Sequence, residues 1–292
     1  NYLKEQLKEV AVFSVDVGWR KQYCGILEMD LNGVKFYFID NEYYFKREGE
    51  IAYLYGYGDD AERSTFFSNA VLEAMSILNF YPDIVHLNDW HTGMIPLILK
   101  EKYSHSKKYK NIKTVYTIHN LQYQGVFSDS IIEDVLDIPR AYYNNGDIEY
   151  YGGVSFMKSG IVFSDKVIAV SPTYSNEIQT EFYGEGLDGL LKSKSHKLKG
   201  ILNGIDYDLN NPLTDGDIFV NYDINSIDKK IENKLKLQEV LGLDVNPDIP
   251  LIGIVSRLVS QKGFDLISYM MPEIIRENLQ VVILGTGEHQ YQ

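Results

Sequence analysis

The sequence predicts an α/β fold built on parallel sheet and divided into about two domains. Three observations carry the prediction: a length of 292 residues, an alternation of short apolar runs with helically spaced segments, and a stretch rich in Asn, Asp, Pro and Gly at residues 206–226. Ordinary fractions of hydrophobic residues (45%) and charged residues (24%) fit a globular chain.

The opening segment alternates apolar and polar residues from Val10 to Val17, then runs through Tyr23–Met29 and Val34–Ile39 with Asn32-Gly33 between them. Asn-Gly between strand-like runs is a strong hairpin signal, because both residues accept positive φ. A helix is expected over 64–79, opened by Ser64 and carrying Phe67, Val71, Met75 and Leu78. After Pro82 the pattern settles into β-α alternation: a strand at 83–87, a helix near 94–103, a strand at 114–118, a helix at 156–163, a strand at 166–170, a helix at 172–181 and a strand at 199–202. Such repetition implies a parallel sheet with helices on both faces. Beyond the 206–226 stretch, a helix at 227–241, the strand that opens residues 251–263, a helix from Phe264 to Ile275 and a strand at 280–284 complete the chain. Two strands fall short of the five or six of a doubly wound domain. Together with Asn1 in place of an initiator Met, this predicts an internal fragment.

A net charge of −13 makes nucleic acid an unlikely partner, so an anionic ligand needs a local basic site. The single Cys24 excludes an internal disulfide, no apolar run has membrane-spanning length, and no signal segment opens the chain; a cytoplasmic location is expected.

The local basic site is expected at residues 251–263, Leu-Ile-Gly-Ile-Val-Ser-Arg-Leu-Val-Ser-Gln-Lys-Gly. A strand opening into a loop and then a helix is where open α/β sheets bind anions, and Arg257 and Lys262 could grip adjacent phosphates as a bidentate fork and a mobile point charge. Spacing alone leaves solvated loop cations equally open. Gly285 and Gly287, after the last strand, would let a ligand approach the backbone. Gly184-x-Gly186-x-x-Gly189 has the dinucleotide spacing but follows a helix and carries Glu185 and Asp188, which repel a pyrophosphate.

Two further strand ends carry chemistry. His86, Asp89 and His91 close one strand and His119-Asn120 the next, and neighbouring parallel strands bring such ends together. A metal site or strand-end residues that merely bond the adjacent loop remain alternatives, although no metal-site spacing is present and no metal is expected.

With these residues in view the chain resembles the bacterial glycogen synthases and plant starch synthases. The resemblance runs through Val17-Gly18-Trp19-Arg20, Asp83 to His91, Thr117 to Leu121, Tyr123-Gln124-Gly125, Ala169 to Tyr174, Gly186 to Leu191, Leu202 to Asp206, and Ser256-Arg257-Leu258 with Gln261-Lys262-Gly263. It implies a GT-B architecture of two Rossmann-like domains facing a cleft, both truncated: an acceptor and catalytic domain over 1–205, lacking its first strand, and the start of a nucleotide-sugar donor domain over 206–292. It implies retaining glucosyl transfer from ADP-glucose, as substrate rather than resident cofactor, to glycogen or another α-1,4-glucan, with neither nucleic acid nor membrane as partner. Arg257 and Lys262 would bind the diphosphate, Asp89 and His119 would line the glucosyl pocket, and Asn120 would bind substrate. The family's Lys-x-Gly-Gly loop would precede Asn1 and its later Glu motif would follow Gln292, so the fragment alone is expected to be inactive. A non-catalytic glucan-binding module, a related enzyme such as a glucan phosphorylase or nucleotide-sugar epimerase, and a metal-dependent hydrolase using His86, Asp89, His91 and His119 are the competing readings.

Overall fold

The computed structural model describes residues 6–47 and 56–292. The chain divides into two compact units, Asn1–Asn203 and Gly204–Gln292, each described by itself.

The first unit begins with an antiparallel meander of β1 (Lys8–Val17), β2 (Arg20–Leu31) and β3 (Val34–Asp40). Asn32 and Gly33 join β2 to β3 with φ of 54° and 77°, the paired positive values whose twist matches the flanking strands. A four-residue α1 (Glu42–Phe45), capped by the Asn41 side chain, follows. The next helix, α2, spans Asp60–Ile77 and begins four residues before the expected Ser64. Its first turns bury Asp60, Arg63, Ser64 and Thr65, with Arg63 paired to Asp60 and Thr65 Oγ1 donating to Ala61 O at 2.8 Å. Polar residues that find partners inside the fold are invisible to a hydrophobic pattern, which explains the shifted start.

The centre of the unit is a four-stranded parallel sheet in the order β10-β9-β5-β4, where β4 is Ile84–Asn88, β5 Lys113–Ile118, β9 Lys166–Ala169 and β10 Leu198–Gly200. Between β4 and β5 lies α3 (Ile95–Ile98), which continues as a π-helical turn through Tyr103. Between β5 and β9 come β6 (Val126–Ser128), α4 (Ala141–Asn144), β7 (Glu149–Tyr150), β8 (Gly153–Ser155) and α5 (Phe156–Phe163). The antiparallel sheet β6-β8-β7 was not expected; strands of two or three residues are too short to show an alternating pattern. Helix α5 matches its expected bounds, with the Ser155 side chain accepting from Lys158 N–H. After β9, α6 (Pro172–Glu177) stops four residues short of expectation, and α7 (Asp188–Ser193) precedes β10. Leu72, Leu97, Ile98, Tyr116, Ile118, Phe156, Met157, Ile161 and Ala169 form the buried centre, packing helices on the sheet.

In the second unit, residues 204–226 carry neither strand nor helix, and Asp206 Oδ1 instead accepts the N–H groups of Asp208 and Leu209. Helix α8 (Lys230–Val240), β11 (Leu251–Val255), α9 (Phe264–Ile274) and β12 (Gln280–Leu284) follow, with β11 and β12 paired in parallel. The fully buried Gln238 of α8 donates to Gln280 Oε1 at 2.7 Å and accepts Asn246 N–H at 3.0 Å, tying helix to sheet through a satisfied polar core.

Candidate active site

The carboxyl ends of β4 and β5 meet because the two strands pair in parallel register, Asn88 opposite Thr117. Asp89 extends the ladder by donating its N–H to Thr117 O at 3.0 Å, then turns the chain with φ 55° and ψ −178°. That backbone region is comfortable only for glycine and costs a side-chain-bearing residue about 1–3 kcal/mol. Neighbours over-determine it. The Asp89 carboxylate accepts the His119 backbone N–H at 2.9 Å, and Thr92 Oγ1 accepts Asn88 N–H at 2.9 Å.

Behind the turn Trp90 is buried. A Cβ on Gly125 would come within 2.3 Å of its ring, and one on Gly93 within 2.0 Å of Phe156 O, so both glycines admit a close approach that locks the turn onto the β6–α5 region. His91 stacks on Trp90 with ring centroids 3.9 Å apart. Burial lowers its pKa below the usual imidazole range against the opposing pull of Asp89, leaving it neutral at pH 7.

His119 is exposed, and its Nε2 lies 3.0 Å from Asn88 Oδ1. The adjacent Asn120 accepts Gln122 N–H through Oδ1 at 3.1 Å, while Leu121 N–H donates to the Tyr174 hydroxyl at 3.0 Å. His86 is committed to Thr117 Oγ1 at 2.7 Å. Among the described residues no three His, Cys, Asp or Glu side chains are grouped to hold a metal ion. The structure thus brings Asp89, His119 and Asn120 together, with one exposed imidazole, one carboxylate and one amide. Asn88 and Gly125 belong to this arrangement and were missed as site residues, although both stand within the motifs that carry the resemblance.

The Gly184–Gly189 stretch follows α6, and its Glu185 O accepts from Gln124 Nε2 at 2.8 Å and from the Tyr150 hydroxyl at 2.5 Å.

In the second unit, Arg257 and Lys262 are exposed in the loop from β11 to α9, and among the described residues neither makes a side-chain hydrogen bond or ion pair. Lys262 ends a short 3-10 turn, and Gly263, at φ 77°, swings the chain into α9. Gly285 and Gly287 have a protein-internal reason for lacking a side chain. A Cβ on either would meet the backbone oxygen of Ser256 or Leu258 at 1.9 and 2.1 Å, and the two loops are stitched by Leu258 N–H to Thr286 O at 3.0 Å and Glu288 N–H to Leu258 O at 2.8 Å. The glycines therefore help fix the segment that carries Arg257. Among the described residues no helix is long and apolar enough to cross a membrane.

Comparison with known proteins identifies the family. The family model described as the starch synthase catalytic domain matches residues 1–193. A glycogen synthase of Clostridioides difficile is 72% identical over all of this chain and 61% of its own length, and one of Clostridium novyi is 53% identical over 99% of this chain and 60% of its own. Among solved structures, the catalytic domain of starch synthase IV from Arabidopsis thaliana, bound to ADP and acarbose, superposes with a TM-score of 0.87 at 31% identity, covering 98% of this chain and 58% of that one. The chain spans about three fifths of the length of the relatives it matches. With its parallel-sheet architecture, it belongs to the starch synthase catalytic-domain family of glycosyltransferases, which have the GT-B fold.

Proposed function

We propose that the protein carrying this chain is a glycogen synthase that transfers glucose from ADP-glucose to the non-reducing end of an α-1,4-glucan with retention of configuration, acting in the cytoplasm. The observation that carries the proposal is the paired strand end, in which Asp89 and His119 are held together in a chain 72% identical to a glycogen synthase. The ADP and acarbose of the starch synthase IV structure support a sugar nucleotide and an α-glucan as the two substrate classes. Residues 1–205 are assigned to the acceptor and catalytic domain, and 206–292 to the start of the donor domain.

Breaking the anomeric C–O bond leaves negative charge on the diphosphate and positive charge on the sugar. Arg257 is assigned to the diphosphate as a bidentate fork and Lys262 as a point charge; fixed cations that meet developing charge lower the barrier directly. Gly285 and Gly287 hold the loop that presents Arg257 and so act on the donor through it. Asp89, His119 and Asn120 are assigned to the glucosyl group, where they orient its hydroxyls. No carboxylate is assigned as a covalent nucleophile, and retention follows from attack on the face the leaving group departs from, the departing phosphate taking the acceptor proton.

The test is glucose transfer to glycogen by the intact protein, with ADP-glucose and UDP-glucose as separate donors. Transfer from ADP-glucose is expected to dominate. Absence of transfer from either donor overturns the proposal.

A further inference from the structure

We propose that Asn88 is a positioning residue that sets which ring nitrogen His119 offers to a sugar hydroxyl, an inference that rests on the assignment of His119 to the glucosyl group. Asn88 Oδ1 lies 3.0 Å from His119 Nε2. A carboxamide oxygen only accepts, so Nε2 carries the proton; a neutral imidazole has one N–H, and Nδ1 is left as an acceptor. A sugar hydroxyl that reaches Nδ1 therefore donates to it.

Asn88 is itself held. It is the last residue of β4, opposite Thr117, and its N–H and carbonyl are both bonded to Thr92 Oγ1, at 2.9 and 3.0 Å. The next residue, Asp89, takes the His119 backbone N–H. Two consecutive residues of one strand end thus grip His119 by its main chain and by its ring. Both Asn88 and His119 are exposed, so neither needs the bond to satisfy a buried polar group, and a hydrogen bond between two solvated side chains adds little to stability. Its consequence is orientational. A free imidazole on the surface samples several rotamers and both tautomers, and ordering it would be charged against substrate binding.

The test uses the intact protein labelled with nitrogen-15 at histidine, the His119 signals being assigned by their loss in His119→Gln. In the wild type the ring is expected as a single tautomer protonated at Nε2. Asn88→Ala is expected to give averaged nitrogen shifts of a mixed population, an unchanged melting temperature and a fall in kcat/KM for the donor of about tenfold, the size of one lost orienting hydrogen bond. Asn88→Asp, which keeps an acceptor at the same reach, is expected to retain Nε2 protonation. A wild-type ring protonated at Nδ1, unchanged shifts in Asn88→Ala, or wild-type transfer by Asn88→Ala each overturns the inference. The nitrogen shifts decide the tautomer whether or not glucose is transferred, so failure of the glycogen synthase assignment is seen separately in the transfer assay.

Discussion

The Asp89 carboxylate accepts the backbone N–H of His119 at 2.9 Å, across two strand ends separated by thirty residues of sequence. This bond helps hold Asp89 at φ 55° and ψ −178°, so the geometry of the candidate site and the strain of its backbone are one feature.

Substitutions at Asp89 should separate the two. Asp89→Ala loses the acceptor and keeps the strain, whereas Asp89→Gly loses the acceptor and relaxes the backbone. Urea unfolding is expected to place the Gly variant above the Ala variant by about 1 kcal/mol or more, with transfer lowered at least about tenfold in both. Equal stability of the two variants would show that the turn stores no strain.

Gly125→Ala should be costly. Its Cβ would sit 2.3 Å from the buried Trp90 ring at a φ of +57°, whereas Gly146, at φ +80°, has no neighbour within 4 Å. Overpacking and a disfavoured backbone together predict a loss of about 2 kcal/mol or more for Gly125→Ala, against about 1 kcal/mol for Gly146→Ala. Chemical denaturation of both variants checks the difference, and equal losses would mean that Trp90 yields freely.

Arg257→Ala and Lys262→Ala should each reduce transfer from the sugar nucleotide by about tenfold or more through lost stabilisation of the leaving diphosphate. Arg257→Lys keeps the charge but not the fork and is expected to fall between wild type and Arg257→Ala. Unchanged steady-state kinetics in both alanine variants would remove the donor assignment.

Cys24 gives an alkaline test of the first unit's core. Burial, with the charges of Glu73 and Asp40, pushes its thiol from an ordinary value near 9 up to about 12. The folded chain then keeps a proton that the unfolded chain releases, so the thiol's contribution to stability is full below pH 9 and is lost as the pH rises from 9 towards 12. Replacing Cys24 with Ala should flatten the decline of stability over that window. Aromatic disulfides should also label the native thiol slowly at pH 8, and rapid labelling without unfolding would contradict the burial.

Much of this protein was legible in its residues. Asn32-Gly33 specified a hairpin because the turn needs two positive φ values, and the alternation of apolar runs with helical segments specified parallel strands and the helix Phe156–Phe163. These are local or periodic signals. The early start of α2 and the sheet β6-β8-β7 escaped because buried polar pairs and very short strands leave no period. The placement of the candidate residues was legible too: Asp89, His119 and Asn120 follow the ends of paired parallel strands, and Arg257 and Lys262 lie in the loop after β11, as the alternation of strand and helix predicts. Only the tertiary structure decided that Asn88 bonds the His119 ring, that Asp89 bears a glycine-like backbone, and that Gly125 is empty because Trp90 fills its space. The physical reason is that each depends on the register between β4 and β5 or on packing against Trp90, contacts distant in sequence that no local propensity encodes.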